Sequence, residues 1–230
     1  MGTISYIIRR GKRTKTMAMR IEPSGQVTVM IPRFLDIKIA QRFFESRINW
    51  VRKQQDLRRE MAIRYPKREF MSGESFSVFG RNYRLNIKSN KKRSVCRIEH
   101  NRLIVRVYPV TREKIKEILQ GLLLKHTVCQ AKVIVKRYAP RVGVSVNKVL
   151  ASSQKQRWGS CSKKGEIRIN FLLAMAPLRV FNYVVAHEIC HLKYHNHSEK
   201  FWRTLKSVLP DYEKSRLWLK ENVGLMTSFE

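Results

Sequence analysis

The chain has 230 residues, enough for one large domain or two small ones with a substantial hydrophobic core. Hydrophobic residues make up 43% of it, which excludes a disordered polyelectrolyte. We expect no membrane segment, because no apolar run approaches the ~18 residues of a spanning helix. Lysine and arginine number 48 against 17 acidic residues, and the resulting net charge of +31 attracts polyanions over long distances.

Short strands and one long helix are predicted in the first third of the chain. Asp36 can cap a helix that runs to about Arg64, because apolar residues recur there at mostly helical spacing. Pro66 ends this helix. The strands, which are β-branched runs bounded by turn residues, are predicted over residues 5–9, 16–21 and 26–31.

A second group of strands and a second long helix follow. The helix is predicted from Thr111 to about Tyr138, with Gly121 as a weak point inside it. Pro140 and Gly143 break the chain after it. The strands are predicted over residues 75–79, 83–88, 95–99 and 103–108.

Two short strands and three helices are predicted in the last segment. The strands cover residues 156–160 and 166–170 and flank a Ser162–Gly165 turn. Pro177 opens a helix through about Tyr194, and Ser198 can cap the next one. The helices are predicted over residues 177–194, 198–209 and from about 210 onward.

The cysteines and the first residues indicate a cellular compartment. Cys96, Cys129, Cys161 and Cys190 form no C-x-x-C pair, a pattern that suits reduced thiols better than a disulfide framework. Residues 1–13 contain several basic side chains before any apolar stretch, unlike a secretory signal. We therefore expect a cytoplasmic protein.

The pentapeptide His187–His191 predicts a metal site. Residues four apart project from one face of a helix, so His187 and His191 can bind one Zn²⁺ through neutral ring nitrogens. Glu188 can then hold and deprotonate a zinc-bound water. The predicted cofactor is Zn²⁺, and the predicted catalytic base is Glu188.

A catalytic zinc needs a third protein ligand. On a continuous helix His195 would lie ~12 Å along the axis from His187, too far to share one ion. His197 can reach the site only if the helix ends first. Asn196 tolerates the left-handed conformation that ends helices, and Ser198 can begin the next one. We favour His197 over a Glu or His elsewhere in the chain.

Several motifs occur together in the C-terminal half. They are R-W-G-S-C-S at 157–162, I-R-I-N at 167–170, H-E-I-C-H at 187–191, N-H-S at 196–198 and the pair Phe201-Trp202. This combination resembles the YgjP-like metallopeptidases, small zincins related to the SprT-like and WLM proteases. The resemblance is strong over residues 150–220 and looser before them.

The resemblance implies a fold and a ligand set. It implies an α+β fold with a minimal zincin core, in which antiparallel strands pack with the HExxH active-site helix, and a zinc-dependent hydrolase. Its ligands would be His187, His191 and His197, and its base Glu188. We divide the chain into residues 1–110, a basic β-rich region with one long helix, and residues 111–230, a helix followed by the zincin-like catalytic domain.

The first motif also has a physical interpretation. In zincins a strand beside the active-site helix can pair with an extended substrate, and glycine lets another backbone approach closely. Arg157 could bind a carboxylate or phosphate, so we interpret Arg157, Trp158, Gly159 and Ser160 as substrate-binding. The alternative is that Trp158 and Cys161 only pack the strand onto the helix.

The sequence favours a zinc-dependent metallopeptidase that cuts protein or peptide substrates with a Glu-activated, zinc-bound water. One alternative is a metal-dependent nucleoside triphosphate (UTP) pyrophosphohydrolase, an activity described for some relatives. Against it, the chain has no phosphate-cradling glycine loop and no acidic cluster for Mg²⁺. Another is a nucleic-acid-associated, SprT-like protease whose basic surface binds nucleic acid without sequence specificity.

Overall fold

The computed structural model describes residues 4–11, 16–22, 25–154, 157–226 and 229. The chain divides into two compact units, Met1–Arg64 and Tyr65–Glu230. The division at residue 110 favoured by the sequence therefore falls inside the second unit. Strand residues such as Phe76 and Leu103 share one buried core there with helix residues such as Leu119 and Phe181.

The first unit contains a three-stranded sheet and two helices. Strands β1 (Tyr6–Gly11), β2 (Ala18–Ile21) and β3 (Val27–Pro32) lie in the order β1-β3-β2, with β1 parallel and β2 antiparallel to β3. Helices α1 (Ile37–Ser46) and α2 (Ile48–Arg64) replace the single helix predicted there.

Asp36 caps the first of these helices, as predicted, by accepting a hydrogen bond from the Lys38 amide at 2.9 Å. The predicted continuous helix is wrong because the backbone of Arg47 (φ −112°, ψ 6°) leaves the helical range. Just before it, the Ser46 hydroxyl donates to the Phe43 carbonyl at 2.8 Å, a local bond that competes with helix continuation.

The second unit begins with a four-stranded sheet. Strands β4 (Ser75–Val78), β5 (Arg81–Ser89), β6 (Val95–Glu99) and β7 (Arg102–Val107) lie in the order β4-β5-β7-β6. The two predicted hairpins, β4–β5 and β6–β7, are antiparallel, and β5 joins them by pairing with β7 in parallel.

Helix α3 (Arg112–Val142) is 31 residues long and continuous. Gly121 does not interrupt it, and the break predicted at Pro140 occurs only at Gly143, whose left-handed backbone (φ 76°) caps the helix. An 18-residue window has a mean hydropathy of 1.2, so by length and composition alone this helix could cross a membrane. The core helix of a soluble protein passes the same test, and one face of α3, including Leu119 and Leu123, is buried.

A small mixed sheet and three helices form the rest of the second unit. The sheet has the order β8-β10-β9, in which β10 pairs in parallel with β8 and antiparallel with β9. The sequence prediction missed β8, and the first strand predicted here is shorter than expected, its start falling on residues outside those described. The elements are β8 (Lys148–Ser152), β9 (Gly159–Cys161), β10 (Glu166–Asn170), a 3-10 turn (Phe171–Met175), α4 (Leu178–His191), α5 (Glu199–Val208), α6 (Tyr212–Glu221) and a 3-10 turn (Val223–Met226).

The fold is therefore α+β, as predicted, and α4 is its central helix. Most α4 residues from Val180 to Cys190 are buried, as expected for a helix enclosed by other elements. It packs against α3, α5, α6, β9 and β10. This enclosure fixes the position of the HExxH sequence that ends the helix.

Candidate metal centre

The last turn of α4 brings two imidazoles together. The Nε2 atoms of His187 and His191 lie 3.1 Å apart, as expected for residues four apart on one helical face. The helix ends at His191, so the chain can turn immediately after the second histidine.

The turn after His191 brings the following residues back towards the two imidazoles. The Tyr194 amide donates to the Cys190 carbonyl at 2.9 Å, and the Lys193 ammonium donates to the Val142 carbonyl at 3.1 Å. The Nε2 of His197 then lies 3.0 Å from the Nε2 of His187. One ligand nitrogen from each of the three histidines lies within 4.8 Å of the other two.

The predicted reason for this turn is wrong, although the histidine it favoured is the one brought to the site. The helix ends five residues before Asn196, which is absent from the left-handed residues of the described chain. Ser198 does precede α5 with an extended backbone (φ −67°, ψ 170°), but in the described structure its side chain makes no capping bond. His195 is exposed and lies outside the three-histidine group found among the described residues.

The three imidazoles fit a metal ion. Around one tetrahedral zinc with bonds of ~2.0–2.1 Å, ligand nitrogens lie about 3.3 Å apart, close to the separations between His187 and its two partners. The Nδ1 of His191 is 3.0 Å from the Tyr194 carbonyl oxygen, which can only accept. That nitrogen therefore carries the proton, and the Nε2 lone pair of His191 faces the site.

The surroundings keep two of these imidazoles neutral. Burial, helped by the neighbouring histidines and Arg216, lowers the pKa of His187 to about 3. Burial also lowers the pKa of His191, against the opposing effect of its bond to Tyr194. Both rings are thus unprotonated near neutral pH, the state in which imidazole binds a metal.

The ring of Phe201 packs against all three imidazoles. This fully buried ring has its centroid 4.9 Å from that of His187, 4.7 Å from that of His191 and 4.9 Å from that of His197. Trp202 stacks on His197 with centroids 5.4 Å apart and an interplanar angle of 23°. Phe201 and Trp202 entered the sequence prediction only as part of the family motif, and their contact with the histidines was not predicted.

Glu188, which follows His187 on α4, is buried from solvent. Its side chain is 6% exposed, and burial raises its pKa to about 7. The carboxylate lies against Gly159 of β9, where a Cβ would fall 2.6 Å from Oε1 and 2.9 Å from Cδ. The glycine of the R-W-G-S motif thus leaves space for this side chain, a contact that the sequence did not indicate.

The other proposed substrate residues lie along the same segment. Arg157 is exposed, Ser160 is half-buried opposite Arg168, and Trp158 is half-buried against the main core. Strand β9 stands at the edge of its sheet and packs beside α4. Trp158 thus packs against the core, and substrate pairing along the edge strand β9 stays a prediction.

Asn170 organises this segment and was missed as a functional residue. It is completely buried, and its Nδ2 donates to the carbonyls of Gln154 at 2.6 Å and Arg157 at 3.1 Å. Its amide donates to the Trp158 carbonyl at 2.8 Å, and its Oδ1 accepts from the Leu172 amide at 3.0 Å. These bonds hold Gln154, Arg157 and Trp158, the described residues before β9, close to a buried asparagine.

The α+β fold and the three-histidine group beside a buried glutamate are features of a metal-dependent hydrolase. Residues 15–222 match the family described as YgjP-like, metallopeptidase domain, and the chain belongs to this family.

A solved structure, the metallopeptidase zymogen of Pyrococcus abyssi abylysin, is also similar to part of the chain. The two are 22% identical over 39% of this chain and 93% of the other, with a TM-score of 0.36. No curated protein matches the chain.

Proposed function

We propose that the protein is a zinc-dependent peptidase in which Glu188 is the general base. The observation that carries this proposal is the cluster of three imidazoles, two of them on the helix that also carries the buried carboxylate of Glu188. His187, His191 and His197 would hold the ion, and their all-nitrogen donor set suits zinc. Zinc bound there would supply a Lewis acid for water and for the peptide carbonyl.

Glu188 would accept the proton of the attacking water and pass it to the leaving amine. Its burial supports this role, because a carboxyl whose pKa is raised to about 7 can both take up and release a proton near neutral pH. Its position also supports it, because the close contact with Gly159 restricts where the carboxylate can lie.

The substrate would extend along β9. Among the described residues β9 pairs with β10 on one side only, so its other edge can accept hydrogen bonds from an extended peptide. Both Gly159 and Ser160 lie on this edge strand, and Gly159 is in close contact with Glu188. An extended peptide bound there would run past the base and the histidine group.

The deciding experiment combines metal analysis with two hydrolysis assays. Purified protein should contain about one zinc per chain and should cut casein or a mixed peptide library, but not UTP. Glu188→Gln should keep the zinc and reduce peptide hydrolysis by ~10²–10⁴, the usual contribution of a general base. Nucleotide hydrolysis that depends on Glu188, without peptide hydrolysis, would establish the pyrophosphohydrolase alternative instead. Wild-type turnover by the zinc-loaded variant would remove Glu188 as the base.

A second proposed property is non-specific binding to nucleic acid. The observation behind it is the formal net charge of +31, since lysines and arginines that displace phosphate counterions give affinity without sequence preference. This binding would bring the peptidase close to proteins that are themselves bound to nucleic acid.

A further inference from the structure

An arginine on α6 stands next to the metal centre. The guanidinium carbon of Arg216 lies 4.9 Å from the ring centroid of Trp202, whose ring stacks on His197 at 5.4 Å. These two steps place the guanidinium within about 10 Å of the His197 ring. Arg216 is exposed, so its charge faces the solvent from which a substrate approaches.

Packing holds this arginine in place. Tyr212, one turn earlier on α6, stacks on Trp202 with centroids 5.5 Å apart and on Tyr183 with centroids 6.2 Å apart. The Ser215 hydroxyl, which is buried, donates to the Arg179 carbonyl at 3.3 Å and ties α6 to the first turn of α4. The guanidinium therefore projects from an element fixed to the metal-binding helix.

Within the described part of the chain Arg216 has no acidic partner, unlike two cations near it. On α5, Arg203 pairs with Glu199 at 2.5 Å. On α6, Lys214 pairs at 3.4 Å with Asp211, the residue before that helix. For Arg216 no ion pair or hydrogen bond occurs among the described residues, only the cation–π contact with Trp202. That contact occupies no hydrogen-bond acceptor, so the N–H donors of the guanidinium can bind a planar anion.

We propose that Arg216 is a specificity residue that binds a carboxylate of the substrate, up to about three residues from the bond that is cut. This inference rests on the peptidase function proposed above. An extended peptide advances ~3.3 Å per residue, so a span of at most about 10 Å corresponds to no more than about three residues. The carboxylate can belong to an aspartate or glutamate side chain or to the C-terminus of a short peptide.

Four matched peptides separate these sources. The first has a glutamate three residues from the cleavage point and an amidated C-terminus, and the second has glutamine there with the same amide. The third and fourth repeat the glutamine peptide with the C-terminus three residues from the cleavage point, either free or amidated. Zinc-loaded wild-type protein should have a lower KM for at least one carboxylate peptide than for its neutral partner.

The variants test Arg216 directly. Arg216→Gln should raise KM for the preferred carboxylate peptide about tenfold or more, the range of a lost charge-assisted hydrogen bond, with little change in kcat or in the neutral peptide. Arg216→Lys should restore part of the preference, because it keeps the charge and loses the planar fork. Lys214→Gln is the matched control, since Lys214 is exposed on the same helix but already paired with Asp211.

Binding provides a readout independent of turnover. In the Glu188→Gln background, titration calorimetry with the same peptides should show preferential carboxylate binding that Arg216→Gln removes. Equal losses for charged and neutral peptides, or no carboxylate preference in the wild type, would overturn the proposal and leave Arg216 a packing residue on Trp202. If the wild type cuts no peptide, the peptidase function fails, and the binding measurement still decides the role of Arg216.

Discussion

The side chain of Glu188 lies in close contact with Gly159, in the space that a Cβ at position 159 would need. A Cβ on Gly159 would lie 2.6 Å from the Oε1 atom of Glu188, a separation that real Cβ contacts essentially never show. The backbone of Gly159 lies in β9 and needs no left-handed conformation, so the requirement for glycine is purely one of space. Strand β9 and helix α4 thus fit together at the carboxylate of Glu188.

Replacing Gly159 with alanine should displace the carboxylate and spare the metal. We expect Gly159→Ala to lower peptide hydrolysis by at least ~10², the lower end of a general base's contribution, with zinc content unchanged. Metal analysis and kcat measured on the same preparation check this. Gly121→Ala is the control, because its Cβ would meet nothing within 4 Å in α3. It should keep full activity and raise stability by about 0.4–1 kcal/mol. Full activity in Gly159→Ala would refute the space argument.

The two neighbouring histidines should differ in metal binding. His197→Ala removes one of three clustered nitrogens and should weaken zinc affinity strongly, whereas His195→Ala removes an exposed ring outside the cluster and should leave it nearly intact. Competition with a chromophoric chelator gives both affinities on one scale. Equal losses from the two variants would show that His197 is not the third ligand.

The cysteines should react in an order set by burial. Burial raises the pKa of Cys96 and of Cys190 to about 12, from 9.0, so each has about a thousandfold less thiolate at pH 8 than an unshifted thiol. Cys129 is exposed and should be alkylated first in the native protein. Mass spectrometry after brief iodoacetamide treatment should locate the label at Cys129, and Cys129→Ser should remain almost unlabelled. Rapid native labelling of Cys190 would contradict its buried position.

Binding to DNA should weaken steeply with salt. If the basic surface makes six to ten phosphate contacts, affinity should fall by about 10³–10⁵ between 50 and 200 mM salt, because counterion release drives the association. Fluorescence anisotropy with duplexes of unrelated sequence should give similar curves. Affinity that is insensitive to salt, or that depends on sequence, would exclude this mode of binding.

Local patterns in the sequence predicted most of the metal group. The spacing of His187 and His191 places both rings on one helical face whatever the rest of the fold does, and the limited reach of His195 left His197 as the better third candidate. The cause of the turn was assigned wrongly to Asn196, because hydrogen bonds such as that from Lys193 to Val142 join segments far apart in sequence.

Contacts between distant segments also explain the other omissions. Three contacts produce no periodic pattern in the sequence and so could not be predicted from it. They are the contact of Glu188 with Gly159, the hydrogen bonds from Asn170 to residues before β9, and the packing of Phe201 against the three imidazoles. The predicted long helix failed at Arg47, where a single backbone conformation decides the outcome. The prediction of an α+β fold was nevertheless correct, because fold class depends only on the order of strands and helices along the chain.

The three imidazoles lie within eleven consecutive residues, whereas the partners of Glu188 come from a separate sheet. The histidine nitrogens come from one short stretch of chain, whose loop closes at small entropic cost, while the surroundings of Glu188 depend on contact with β9. Substitutions in β9 should for that reason disturb Glu188 more than they disturb the histidine group.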